Sequence, residues 1–228
     1  MKSLILLHGA IGAAGQLAPL ADQMQQKGYT VHSFSFVGHG NTPFGDSFGI
    51  PAFAAQLKDY IQTHRLEQPD VFGYSMGGYV ALYLAAQQPG LLGRIATLAT
   101  KYAWTVAGAA QEAKMLDAAT IQQKVPAFAA ALQARHGASW ETLLQQTAAM
   151  MAGLGAAPLL DAGVLAGITQ PVMAGVGDKD NMVSLDETGE LFKALPAGQL
   201  YVLPATGHPI EKVNPVLLAA VLDPFFSK

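Results

Sequence analysis

The 228-residue chain is 51% hydrophobic and 13% charged, with 13 Lys and Arg against 16 Asp and Glu and a formal net charge of −3. This balance excludes a disordered chain, which needs few apolar residues and a large net charge, and leaves no basic excess to neutralise a nucleic acid. A chain without cysteine holds no disulfide scaffold and no thiolate metal site, and its length fits one domain carrying a modest insertion.

The first apolar run, residues 3–7, stops at His8-Gly9. It is too short for a secretory h-region or a membrane span, so a cytoplasmic protein with no membrane partner is expected. Further short, near-continuous apolar runs fall at 30–36, 69–74, 94–99, 171–176 and 199–203. Runs of this kind are strands buried on both faces of a parallel sheet. Helical patterns separate the first four: 15–27 ends at Gly28, 51–64 opens with Pro51 and carries Phe53, Leu57, Tyr60 and Ile61 on one face, and 76–88 stops before Pro89-Gly90. Strand and helix in alternation predict a doubly wound, mostly parallel six-stranded α/β sheet.

The alternation breaks over 103–166, where only helical patterns occur. Pro126 opens one, and Ser139 is placed to N-cap another bearing Leu143, Leu144, Thr147, Met150, Met151 and Leu154. The predicted organisation is therefore a core over 1–102 and 167–228, with 103–166 inserted as a helical cap.

Chemistry concentrates at the strand ends. Gly73-Tyr74-Ser75-Met76-Gly77-Gly78 joins a strand to a helix, a sharp turn that exposes the Ser75 hydroxyl above a helix N-terminus favouring negative charge. Glycines two before and two after the serine allow the close approach that such a turn requires. A serine needs a base, and the chain order Ser, acid, His selects His208, in the loop after the last strand. Asp178 and Asp180, after the penultimate strand, both qualify to orient the His208 ring. A developing oxyanion needs backbone donors. The N–H of Met76 is one; the loop His8-Gly9-Ala10-Ile11-Gly12 supplies the second, from Ala10 or Ile11, with His8 bracing it.

Taken together, His8-Gly9, Gly38-His39-Gly40, the Ser75 hexapeptide, Gly177-Asp178-Lys179-Asp180 and Gly207-His208 resemble the α/β-hydrolase superfamily over nearly the whole chain outside the insertion. The resemblance implies a Ser75–His208–Asp180 triad, because the family's acid sits in a Gly-x-x-Asp segment. It implies a serine hydrolase that cleaves a small carboxylic ester or thioester through an acyl-enzyme, without a cofactor. The segment Phe34–Gly40 lacks the acid that often precedes the family's Gly-His-Gly loop, and the core is expected to lack the family's first two antiparallel strands.

Other readings share the residues. A lyase, a carbon–carbon bond hydrolase or a ligand receptor retains the same fold and triad. Gly9-x-x-Gly12-x-x-Gly15 follows a strand, but its spacing differs from the dinucleotide fingerprint and no acid ends the next strand, which disfavours a Rossmann oxidoreductase. No H-E-x-x-H or comparable set supports a metal. Ile11, Tyr74, Lys101, Trp104, Trp140 and Met150 are expected to line the substrate pocket, with Met115 and Met151 as further pocket or core residues. Lys101, Lys114, Arg135 and His136 either meet an anionic substrate or lie on solvated helix faces. About half of the alanines fall in 103–166, so the substrate is expected to have an apolar portion. The sequence leaves the oligomeric state open.

Overall fold

A computed structural model describes residues 2–228. Six strands, β1 (Ser3–Leu7), β2 (Thr30–Ser33), β3 (Asp70–Tyr74), β4 (Ile95–Leu98), β5 (Val172–Gly177) and β6 (Gly198–Leu203), form one sheet in the order β2-β1-β3-β4-β5-β6. Every neighbouring pair is parallel. The expected strand 30–36 pairs only as far as Ser33; Phe34 and Phe36 go on to pack edge-to-face in the core.

Period-two alternation in β1 shows how the layers form. Leu4 and Leu6 join Leu20 and Met24 of α1 (Ala18–Gln26) and Leu218, Leu222 and Phe226 of α10 (Pro215–Phe226) on one face. Ile5 and Leu7 join Phe53 and Leu57 of α2 (Ile50–Thr63), Val80 and Leu84 of α3 (Met76–Gln87) and Leu191 of α9 (Leu185–Ala194) on the other. All four β1 residues are fully buried, and each such side chain contributes about 1.5–3 kcal/mol. The 15–27 pattern resolves into a 3₁₀ turn at Ala14–Leu17 followed by α1.

Between β4 and β5 lie five helices: α4 (Val106–Lys114), α5 (Ala118–Lys124), α6 (Pro126–His136), α7 (Trp140–Ala156) and α8 (Ala162–Ala166). Thr105 and Asp117 cap α4 and α5 with side-chain oxygens. Ser139 does not cap α7 in this way. Its hydroxyl donates to the His136 carbonyl at 3.0 Å, because a 3₁₀ turn over Gly137–Ser139 carries the chain directly from α6 into α7. Among the described residues, no helix is long and apolar enough to cross a membrane.

The strand order reverses at β1, so a crevice opens beyond the carboxyl ends of β1 and β3. His8–Ala10 and Ser75 leave the sheet at these two ends.

Candidate active site

One residue, Ser75, makes the whole turn from β3 into α3. Its backbone sits at φ 51° and ψ −117°, a left-handed conformation that costs a residue with a side chain about 1–3 kcal/mol. Surrounding bonds hold it there. The Ser75 N–H donates to the Leu98 carbonyl at 2.8 Å, and its carbonyl accepts from the Gly78 N–H and the Thr100 hydroxyl, both at 3.0 Å. A Cβ at Gly73 would stand 2.4 Å from the Gly78 nitrogen, and one at Gly77 would stand 2.5 Å from the Leu7 carbonyl oxygen. Both neighbours are backbone, which cannot yield, so the turn closes only around glycine. Gly9 lets the β1 loop approach in the same way: a Cβ there would meet the Tyr74 ring at 2.8 Å and the Ser75 Cβ at 3.2 Å.

His208 lies in the loop after β6. Its Nδ1 donates to Asp180, 2.9 Å from Oδ2 and 3.1 Å from Oδ1. A neutral ring in this tautomer keeps Nε2 as a proton acceptor. The Asp180 side chain is fully buried, and its Oδ1 also accepts from the Met182 and Val183 N–H groups at 2.8 and 2.9 Å. Burial raises its carboxyl pKa, but the bonds from His208 and from the two N–H groups outweigh that and hold it below the usual carboxylate range. Asp178 has a different task. It is exposed, and its carboxylate accepts from the Thr206 N–H at 3.1 Å; bonds from the Thr206 and Ala205 backbone hold it low. Asp178 thus fixes the loop, whereas Asp180 fixes the ring. The Tyr74 hydroxyl donates to the His208 carbonyl at 2.7 Å and fixes the loop from below.

The β1 loop is braced twice. His8 donates from Nδ1 to the Gly9 carbonyl at 2.8 Å and accepts at Nε2 from the Phe36 N–H at 3.1 Å. Ile11 holds φ at 50°, unfavourable for a β-branched residue. Its carbonyl accepts from His136 Nε2 at 2.8 Å and from Arg135 Nη1 at 3.2 Å. The Gly40 N–H donates to His136 Nδ1 at 3.0 Å, and Arg135 also pairs with Glu211 at 3.0 Å. Arg135 and His136 therefore clasp the β1 loop to α6, a role that long-range contact creates and no local pattern announces. Lys114 is exposed at the end of α4.

Ser75, His208, Ala10 and Met76 face one cavity of about 50 Å³, together with Lys101, Trp104 and Met150. Three expected lining residues do not face it. Tyr74 is behind His208, and Ile11 is turned toward Arg135 and His136. Trp140 packs with Ile121, Leu132 and Leu144 in a separate apolar cluster. Ten residues along α7 separate Trp140 from Met150, about 15 Å at 1.5 Å per residue, so one end of α7 serves each site. Glu112, Ile50 and Tyr79, and also Met182 and Val183 beside Asp180, line the cavity without a local sequence signal that marks them.

His8 and His39 are buried neutral. Burial pushes them down to about 4 and about 3, and the Arg135 charge near His8 adds to its depression. Unfolded, both titrate near 6.5. Below that value the unfolded chain binds more protons than the folded one, so stability is full above pH 6.5 and declines as pH falls toward 4. At about 1.4 kcal/mol per pH unit for each ring, the step from pH 6.5 to 5 removes roughly 4 kcal/mol. Melting followed by circular dichroism is expected to show a Tm roughly 10 °C lower at pH 5 than at pH 7; an unchanged Tm contradicts neutral buried rings.

A sequence model of the family described as alpha/beta hydrolase fold matches residues 2–150. A protein of Chromobacterium violaceum named pimeloyl-[acyl-carrier protein] methyl ester esterase is 26% identical over 226 residues, covering 90% of this chain and 86% of the relative. A protein of Xenopus laevis named sn-1-specific diacylglycerol lipase ABHD11 is 30% identical over 104 residues, 45% of this chain and 33% of the relative. The chain spans about a third of the length of several curated relatives that it matches. The solved enol-lactonase of Burkholderia xenovorans superposes with a TM-score of 0.79 at 17% identity, covering 100% of this chain and 92% of the other.

Proposed function

Because the chain belongs to the α/β-hydrolase fold family, we propose that it is a serine esterase with Ser75 as nucleophile, His208 as general base and Asp180 as the residue that orients the base. The observation that carries this reading is convergence. A strained, half-buried serine and a histidine held by a buried carboxylate face the same cavity.

In this mechanism His208 Nε2 takes the Ser75 hydroxyl proton as Oγ attacks the ester carbonyl. The tetrahedral oxyanion is met by the N–H groups of Met76 and Ala10. Met76 heads α3, whose first N–H groups have no acceptor within the helix, and the helix N-terminus favours the negative charge. The imidazolium, stabilised by Asp180, returns the proton to the departing alkoxide, leaving an acyl-enzyme and a free alcohol. Water then gives a proton to the same nitrogen and attacks the acyl carbon, and His208 returns that proton to Ser75 Oγ as it leaves, which releases the acid and restores the hydroxyl.

Helices α4–α8 act as a cap over this cavity, to which α4 and α7 contribute Glu112, Met150, Met151 and Leu154. A cavity of about 50 Å³ with methionine and leucine walls favours a small, partly apolar ester. The relative named as a methyl ester esterase covers most of both chains and supports the ester class.

Stopped-flow hydrolysis of p-nitrophenyl acetate tests the acyl-enzyme. The expected trace is a burst of about one p-nitrophenolate per chain, with the acetyl group found on Ser75 by mass spectrometry of the quenched sample. Turnover with no acylated Ser75 on quenching, or a ligand bound tightly and left intact, overturns this reading in favour of water attack or a receptor.

A further inference from the structure

The cavity has a second polar wall, distinct from the reacting groups. Lys101 follows β4, and Glu112 lies on α4; their side chains are 22% and 12% exposed. Lys101 Nζ stands 3.9 Å from Glu112 Oε1 and 3.8 Å from Glu187 Oε2. Both separations exceed hydrogen-bond range, so neither carboxylate satisfies the three donors of the ammonium. Glu187 is committed elsewhere, since its Oε1 accepts from the Tyr102 and Ala103 N–H groups at 3.1 Å. Lys101 and Glu112 line the cavity, and Glu187 does not. Trp104 completes the wall: its ring lies 5.8 Å from the Lys101 ammonium, and its buried indole N–H has no acceptor among the described residues.

We propose that Lys101 and Glu112 bind a hydroxyl group on the non-reacting part of the substrate, so that the preferred substrate is a short hydroxy-ester. This rests on the serine-esterase reading above. One oxygen placed about 2.8 Å from both Nζ and Oε1 spans the gap with an angle near 90° at that oxygen. It must accept from the ammonium and donate to the carboxylate, and a hydroxyl does both from a single atom.

Other groups fit less well. A carboxylate cannot donate to Glu112, and it meets a cluster whose two acids and one lysine already sum to one negative charge. An ammonium offers Lys101 no acceptor. A methyl leaves both charged groups unmet in a mostly apolar cavity. Water can bridge the same gap, but a ligand that displaces it without reproducing both bonds loses affinity. The size of the cavity keeps the hydroxyl within a few bonds of the ester carbonyl.

The test compares matched esters: methyl 3-hydroxybutanoate with methyl butanoate, and 3-hydroxypropyl acetate with propyl acetate. The first pair places the hydroxyl on the acyl side and the second on the alcohol side. Wild type is expected to favour the hydroxy-ester of at least one pair by about tenfold in kcat/KM, through KM. Lys101→Met and Glu112→Leu are each expected to bring that ratio close to one. Absence of preference in both pairs overturns the proposal, and so does a variant that slows both members of a pair equally, which is the mark of a merely structural ion pair. Calorimetry on the Ser75→Ala variant reads the same preference without turnover. If wild type hydrolyses none of the four esters, the esterase reading fails by itself. The hydroxyl site then stands if binding of the hydroxy-ester is tighter and Lys101→Met erases the difference, and falls if binding is equal.

Discussion

The Ser75→Ala variant is expected to lose ester turnover by a factor of about 10⁴–10⁶ and to escape labelling by a fluorophosphonate that labels wild type fully. The size follows from the unity of the machinery: without the hydroxyl, the His208–Asp180 pair has nothing to activate, and the rate left is what the backbone donors and substrate binding supply. The fold is expected to tolerate the change. The bonds that hold the turn use the Ser75 N–H and carbonyl, which alanine keeps, and φ of 51° strains alanine as it strains serine. Tm should therefore stay within about 2 °C of wild type, or rise, since strained catalytic turns trade stability for activity. Equal labelling of both proteins removes Ser75 as the nucleophile.

The second large effect separates two aspartates that sequence alone leaves side by side. Asp180→Asn is expected to lower kcat by about 10⁴ near neutral pH. An amide at that position presents N–H₂ or a weaker acceptor to His208 Nδ1, so the ring loses the tautomer that leaves Nε2 free, and the imidazolium loses its counter-charge. The Met182 and Val183 N–H groups also lose a full charge at their shared acceptor. Asp178→Asn is expected to cost less than tenfold, because an amide oxygen still accepts from the Thr206 N–H at an exposed site. Steady-state kinetics on the two variants decide the matter, and a larger loss at Asp178 reverses the assignment.

The sheet was readable in advance because parallel strands buried on both faces leave continuous apolar runs, and Leu4–Leu7 or Val71–Tyr74 can hardly be taken for solvated segments. Ser75, Asp180 and His208 could be nominated because each follows such a run closely, where loop residues face the crevice. The lining of the cavity was far less legible. Which part of α7 meets the crevice depends on how α7 lies over the sheet, and that placement sends Met150 to the cavity and Trp140 to the cluster with Leu132. Glu112 was invisible for the same reason, one partly buried acid on an alanine-rich helix. Ile11 was expected in the pocket, yet its backbone at positive φ turns the carbonyl to Arg135 and His136, which lie about 125 residues further on. Ser139 shows the limit of local rules, since a good capping residue was put to another use by the turn that precedes it.

The long excursion between β4 and β5 bears on how the chain assembles and diversifies. About 73 residues separate Leu98 from Val172, against about 20 between Tyr74 and Ile95, although both gaps are closed by the same kind of parallel pairing. Loop-closure entropy grows only with the logarithm of length, so the longer excursion costs about 1 kcal/mol more. Lengthening, shortening or exchanging that segment is thus a small perturbation to sheet formation. Ser75, Asp180 and His208 all lie outside it, whereas Trp104, Glu112 and Met150 lie within it. Exchanging the part of that segment around Trp104, Glu112 and Met150 is expected to change selectivity, provided that Arg135 and His136, which clasp the β1 loop, are kept.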